Sequence, residues 1–213
     1  MSLWPWLALV GLGAFHGLNP AMGWLFAVAR GLQSRSRTVV LRSMVPIAAG
    51  HALSIAIIVA IVIALRSWVE ISTLRRVSAV VLIAFGVYRL VGRHKARAGM
   101  QVGPVQLLLW SFLMATAHGA GLMLVPVFLA TPPGNLHAAH AHLGDQIGTD
   151  VGAASLAVGV HTLAMLIVST VVAVAVYDWV GLAFLRRGWI NLDALWAIVL
   201  IGVGALLLVM AGA

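Results

Sequence analysis

Six long apolar runs dominate the chain, at Leu3 to Ala29, Met44 to Leu65, Val77 to Val91, Pro104 to Ala130, Val151 to Tyr177 and Leu192 to Ala213. A membrane-spanning helix needs about 20 residues, and five of the runs reach that length outright. The third reaches it only with its flanks, Leu74 to Leu90, and with ends that snorkel to the interface. None alternates with period two, so barrel strands are excluded and helices are predicted. No Lys or Arg precedes the first run, so the cationic segment of a cleavable signal peptide is missing and the run is kept as helix 1. The pattern predicts an all-α integral membrane protein of six transmembrane helices. These take up roughly 120 to 150 residues, which leaves short loops and no separate soluble domain.

Charge orients the helices. Only 8% of the 213 residues are charged, with 13 Lys and Arg against 5 Asp and Glu; a soluble domain carries about 25%. The excess of cations does not point to nucleic acid, because they sit in patches between the apolar runs. Arg30, Arg35, Arg37 and Arg42 follow helix 1, Arg89, Arg93, Lys95 and Arg97 follow helix 3, and Arg186 and Arg187 follow helix 5. The alternate side has only Arg66, Arg75 and Arg76. The positive-inside rule then puts both termini outside the cytoplasm, as expected for a multi-pass protein of a bacterial inner membrane. Cations read only as solvated helix ends fit the same topology. The absence of cysteine excludes disulfides, thiolate metal sites and Cys nucleophiles. Trp4, Trp6, Trp68, Trp179 and Trp189 lie near span ends, where interfacial anchoring accounts for them.

The two halves of the chain align. Ala14-Phe15-His16-Gly17 matches Thr116-Ala117-His118-Gly119, and without a gap Phe26 falls on Phe128. Ala49-Gly50-His51-Ala52-Leu53 matches Gly159-Val160-His161-Thr162-Leu163, and Leu74-Arg75-Arg76 matches Leu185-Arg186-Arg187. Leu82-Ile83-Ala84-Phe85-Gly86 resembles Leu200-Ile201-Gly202-Val203-Gly204. Apolar sequences align easily by chance, but histidines and Leu-Arg-Arg triplets are rare letters here. Residues 1–100 and 101–213 thus read as two three-helix repeats of one membrane domain. An odd number of spans per repeat inverts the second, an architecture that holds substrate near the midplane.

Helices 1 and 4 are broken at corresponding places, by Gly17, Asn19-Pro20 and Gly23 in the first half and by Gly119, Gly121 and Pro126 in the second. Proline removes a helical donor and clashes with the preceding turn, and the freed backbone must face protein or a polar cavity. Paired breaks point to a transport site; simple kinking and close glycine packing are the competing account. His16, His51, His118 and His161 lie inside predicted spans at repeat-equivalent positions. Ionisable groups at that depth face the bundle interior, either as hydrogen-bonded core residues or as ligands. Neutral imidazole suits zinc, copper, nickel and iron.

Asn19, Met22, Met114, Met123 and Met165 stand beside the histidines or the breaks as further ligands, or as groups supporting them. Met114 and Met165 are each four residues from a histidine and so share its helix face. His/Met coordination favours Cu(I), whereas plain core packing is the commoner use of methionine. The outer loop contributes His137, His140 and His142, a tract that either captures metal or serves as a polar linker.

Gly13-Ala14-Phe15-His16-Gly17-Leu18-Asn19-Pro20 and Ala49-Gly50-His51-Ala52-Leu53-Ser54 resemble the first two signature helices of the LysE-like superfamily of small transporters, nearest its nickel/cobalt branch. The resemblance implies two three-helix repeats and an efflux or uptake role, with His16 and His51 carried over as ligands. That branch has His-x4-Asp-His in its first helix, where this chain has His16, Ala21 and Met22.

The leading expectation is a secondary transporter of a transition-metal ion (copper, nickel, cobalt or zinc) by alternating access around the four histidines, coupled to protons through imidazole titration. A second is export of an amino acid or another small organic solute bound at half-helix N-termini. A third is a membrane redox or assembly protein ligating haem or copper without translocation. No Ser-His-Asp arrangement or carboxylate pair stands inside the spans, so enzymatic hydrolysis is not expected. The expected surroundings are the lipid bilayer and a metal ion or small solute, without nucleic acid; a homo-oligomer is compatible with the pattern.

Overall fold

The computed structural model describes residues 3–66, 68–91, 103–130, 151–180 and 192–212. Among them every regular element is helical. The first apolar run forms α1 (Trp4–Leu18), a 3-10 turn (Pro20–Met22) and α2 (Trp24–Gln33). Helices α3 (Arg37–Arg66) and α4 (Ile71–Val91) complete the first half. The described residues of the second half form α5 (Pro104–Ala117), α6 (Ala120–Ala130), α7 (Val151–Ala175), a π-helical turn (Val176–Val180) and α8 (Leu192–Gly212).

Among the described residues three stretches are long and apolar enough to cross a membrane, Arg37–Leu65, Val151–Trp179 and Ala194–Ala211. A fourth is the α5/α6 pair, bent by 53° at its break. The remaining two of the six expected runs differ for identifiable reasons. Pro20 and Gly23 divide the first run and leave α1 only 15 residues long, and α4 carries Arg75, Arg76 and Arg89.

The bundle is apolar on its outer face as well as in its core, and it buries a small set of polar side chains. Val45, Leu53, Ile61, Leu163, Ile167, Val171, Ile198 and Val209 face outward, while His16, Ser43, His51, Ser54, Ser111, His161 and Ser169 are buried. An apolar exterior of this extent suits lipid contact. Buried hydroxyls are bonded within the bundle: Ser111 donates to the Ile47 carbonyl at 2.7 Å, Ser54 to Thr116 Oγ1 at 2.9 Å and Ser169 to the Gly17 carbonyl at 3.0 Å.

Packing pairs α1 with α7, α3 with α5 and α4 with α8. The last pair is reciprocal in detail. A Cβ on Gly86 would lie 2.7 Å from Ile201 Cγ1 and 3.0 Å from the Ala197 carbonyl; one on Gly204 would lie 2.8 Å from Ile83 Cγ1 and 3.0 Å from the Ala79 carbonyl. Small residues at these crossings let backbones touch, which is how helices associate in lipid.

Candidate functional site

Both breaks fall beside histidines. Helix α1 ends at Leu18, two residues after His16, where Asn19 turns extended (φ −72°, ψ 118°) and its Oδ1 accepts from the Ala21 amide at 3.0 Å. Asn19 therefore caps the Pro20 turn and satisfies freed backbone. Gly23 then opens α2 at φ 117°, a conformation L side chains rarely adopt. In the second half His118 is the last residue before Gly119, whose φ of 68° starts α6. Pro126 lies inside α6 without ending it.

Glycines bring the imidazoles together. Gly13 and Gly17, one turn apart on α1, rest on α7, and a Cβ at Gly13 would collide with the His161 carbonyl. On α3, Gly50 is as close to the Leu108 carbonyl of α5, and the next residue is His51. The rings of His16, His51 and His161 consequently form a triangle, with centroids 5.3 Å apart for His16–His51, 5.0 Å for His16–His161 and 5.6 Å for His51–His161. All three side chains are 0% exposed, and His51 sits midway along the 30-residue α3.

Hydrogen bonding fixes two of these rings. His16 Nδ1 donates to the Leu12 carbonyl at 3.0 Å, and His161 Nδ1 donates to the Leu9 carbonyl at 3.1 Å. A carbonyl only accepts, so each Nδ1 carries a proton and each Nε2 of the neutral ring presents a lone pair. Neither Nε2 has a hydrogen-bond partner, and neither nitrogen of His51 has one. Buried polar atoms are ordinarily bonded. Here four of them are concentrated in one cluster.

That arrangement has the chemistry of a ligand set. Metal-binding histidines commonly donate the second ring N–H to a carbonyl, which fixes tautomer and orientation. Three imidazoles bonded at about 2.0 to 2.1 Å to one tetrahedral ion would hold their centroids about 5 Å apart. The spacing fits, but the donor atoms are not gathered: among the described residues no group of three His, Asp or Glu side chains is arranged to hold a metal ion. Coordination would require the rings to turn inward.

His118 is engaged elsewhere. Its Nδ1 donates to the Met114 carbonyl at 2.8 Å, and Arg89 Nη2 approaches its Nε2 at 3.0 Å, so the lone pair faces a guanidinium. Trp196 of α8 adjoins both His16 and His118, with centroids 4.1 Å from His16 and 6.4 Å from His118. Its indole N–H donates to the His118 carbonyl.

Of the methionines, Met22, Met123 and Met165 are buried and Met114 is half-buried. Met165 Sδ lies 3.4 Å from the Ser169 hydroxyl, and Met123 packs in the cluster containing Trp196. His137, His140 and His142 fall outside the described residues, as do Arg93, Lys95, Arg97, Arg186 and Arg187.

Sequence reasoning missed Arg89 and Trp196. Arg89 had a signal, since a charge inside an apolar run marks a functional position, yet counting it with the loop cations hid it. Trp196 had none, because its repeat equivalent is Ser78. No family model, curated protein or solved structure matches this chain.

Proposed function

We propose that the protein is a secondary membrane transporter of a transition-metal ion (copper, nickel, cobalt or zinc) that passes through the imidazole cluster of His16, His51 and His161. The observation carrying this reading is the set of buried, unpartnered ring nitrogens on these three histidines, two of them fixed in tautomer by bonds from the opposite nitrogen. An apolar core would be more stable without them, so their presence calls for a ligand.

In this reading the chain makes six spans in two inverted three-helix repeats, residues 1–100 and 101–213. Support comes from the pairing of helices: exchange of the halves converts the α1–α7 contact into the α5–α3 contact and maps α4–α8 onto itself. The reciprocal seats of Gly86 and Gly204 agree. Alternating access then moves the half-helices α2 and α6 about the breaks at Asn19–Gly23 and His118–Gly119, opening the cluster to one face at a time. The limited resemblance of the His16 and His51 segments to LysE-like transporters points the same way.

Reconstitution tests it. Proteoliposomes containing the wild-type chain should accumulate or release at least one of the four metals faster than empty vesicles, and His16→Ala/His161→Ala should return the rate to background. Equal rates with and without protein for all four metals would remove the proposal, as would full transport by the double variant.

A further inference from the structure

We infer that the imidazole triangle is a site for a soft monovalent cation, Cu(I), covered on one side by Trp196, and that it selects against divalent metals. This rests on the metal reading above and narrows it.

The first ground is charge. Helices α1, α3 and α7, which bear the three rings, contain no Asp or Glu; neither do α4, α5 and α6, and α8 has one acid, Asp193, in its first turn. A positive group, the Arg89 guanidinium, stands on the neighbouring His118. An ion entering this cluster trades its hydration shell for neutral nitrogen donors. The desolvation penalty in a low-dielectric interior grows with the square of the charge and is offset only by opposite charge nearby. One positive charge is tolerable there, whereas two without a carboxylate are far less so.

The second ground is the wall. Trp196 is 1% exposed and its ring lies 4.1 Å from that of His16. Phe15 stacks on it at 5.1 Å with planes 12° apart, and the bond from its indole N–H to the His118 carbonyl holds its orientation. An indole within about 6 Å of a cation attracts it through the ring quadrupole. Imidazole accepts copper as well as the borderline dications, so the absence of negative charge and the π face beside the rings are what favour the monovalent ion.

The test uses the full chain in lipid nanodiscs. Cu(I) is titrated anaerobically against a chromophoric Cu(I) chelator, Ag(I) serves as a redox-silent stand-in, and Zn(II) and Ni(II) are titrated in parallel, each with wild type and His51→Leu. The expected result is a site lost in His51→Leu that prefers Cu(I) and Ag(I) to both dications by roughly a hundredfold or more. Trp196→Leu should weaken Ag(I) binding about tenfold. Trp196→Phe, which keeps an aromatic face, should weaken it less while removing the indole fluorescence quenched by Ag(I). A thermal melt of each variant separates lost affinity from lost fold. Equal or tighter binding of Zn(II) or Ni(II) at the His51-dependent site overturns the inference and leaves the metal reading standing. Failure of every ion to bind in a His51-dependent manner removes both. Ag(I) affinity unchanged in both folded Trp196 variants overturns the role given to the indole.

Discussion

His16 and His161 are aimed by the same helix: the Nδ1 of His16 donates to the carbonyl of Leu12 and the Nδ1 of His161 crosses from α7 to the carbonyl of Leu9, both on α1. Their rings stand 5.0 Å apart between centroids. Because α1 carries one ring and steers the other, sliding it against α7 redirects both Nε2 lone pairs at once. A helix that ends at a break two residues beyond His16 is suited to such movement.

The close approach of α1 to α7 should be measurable at Gly13. Alanine there would force its Cβ onto the His161 carbonyl and to 3.0 Å from Ala164 Cβ, so Gly13→Ala is expected to cost about 1 to 3 kcal/mol. Gly11→Ala is the control, since nothing lies within 4 Å of its Cβ; replacing a helical glycine there should gain up to about 1 kcal/mol. Thermal melts in one detergent compare them, and equal midpoints would contradict the packing described.

His51 should be a residue the fold would be more stable without. Whichever tautomer it adopts, one N–H and one lone pair are buried without a partner. His51→Leu is therefore expected to stabilise the protein by about 1 to 3 kcal/mol, the cost of an unsatisfied buried polar group, while abolishing metal binding. A lower melting temperature for this variant would mean that His51 has a structural role instead.

Arg89 and His118 should behave as a pair apart from the triangle. Removing the donor with Arg89→Gln, or the acceptor with His118→Phe, should each cost about 1 to 3 kcal/mol, with the double variant costing less than their sum. Metal retention should fall less than about threefold in His118→Ala, whose lone pair is already occupied, and be lost in His161→Ala. Equal losses would restore His118 as a full ligand.

Much of this was legible in the sequence because the signals were local. Pro20, Gly23 and Gly119 stand at the two breaks, and His16, His51 and His161 were identifiable as histidines within apolar runs. The separation of His118 from that group was not legible, since it depends on Arg89 reaching from the last turn of α4 and on Trp196 from α8, contacts across 29 and 78 residues of chain. Asn19 read from the sequence as a ligand or a supporting group, and its capping of the Pro20 turn emerged only with the end of α1 at Leu18, which turns its side chain onto the Ala21 amide. The division of the first apolar run was legible only in part, because the run itself does not reveal that α1 stops after 15 residues.

Topology offers a clean readout, because the chain has no cysteine. Single cysteines at Ser34, between α2 and α3, and at Trp68, between α3 and α4, are both exposed positions. In oriented vesicles an impermeant thiol reagent should label them from opposite faces, Ser34→Cys from the cytoplasmic side. Labelling of both from one face would break the inverted arrangement.

The most direct measurement is the metal content of the purified protein after equilibration with an equimolar mixture of Cu(I), Ni(II), Co(II) and Zn(II), compared with that of His16→Gln/His51→Gln/His161→Gln. Elemental analysis should find that the wild-type chain retains about one more transition-metal ion than the triple variant. Identical retention by the two proteins, with both shown to be folded, would contradict a metal-transporting role for the buried imidazoles.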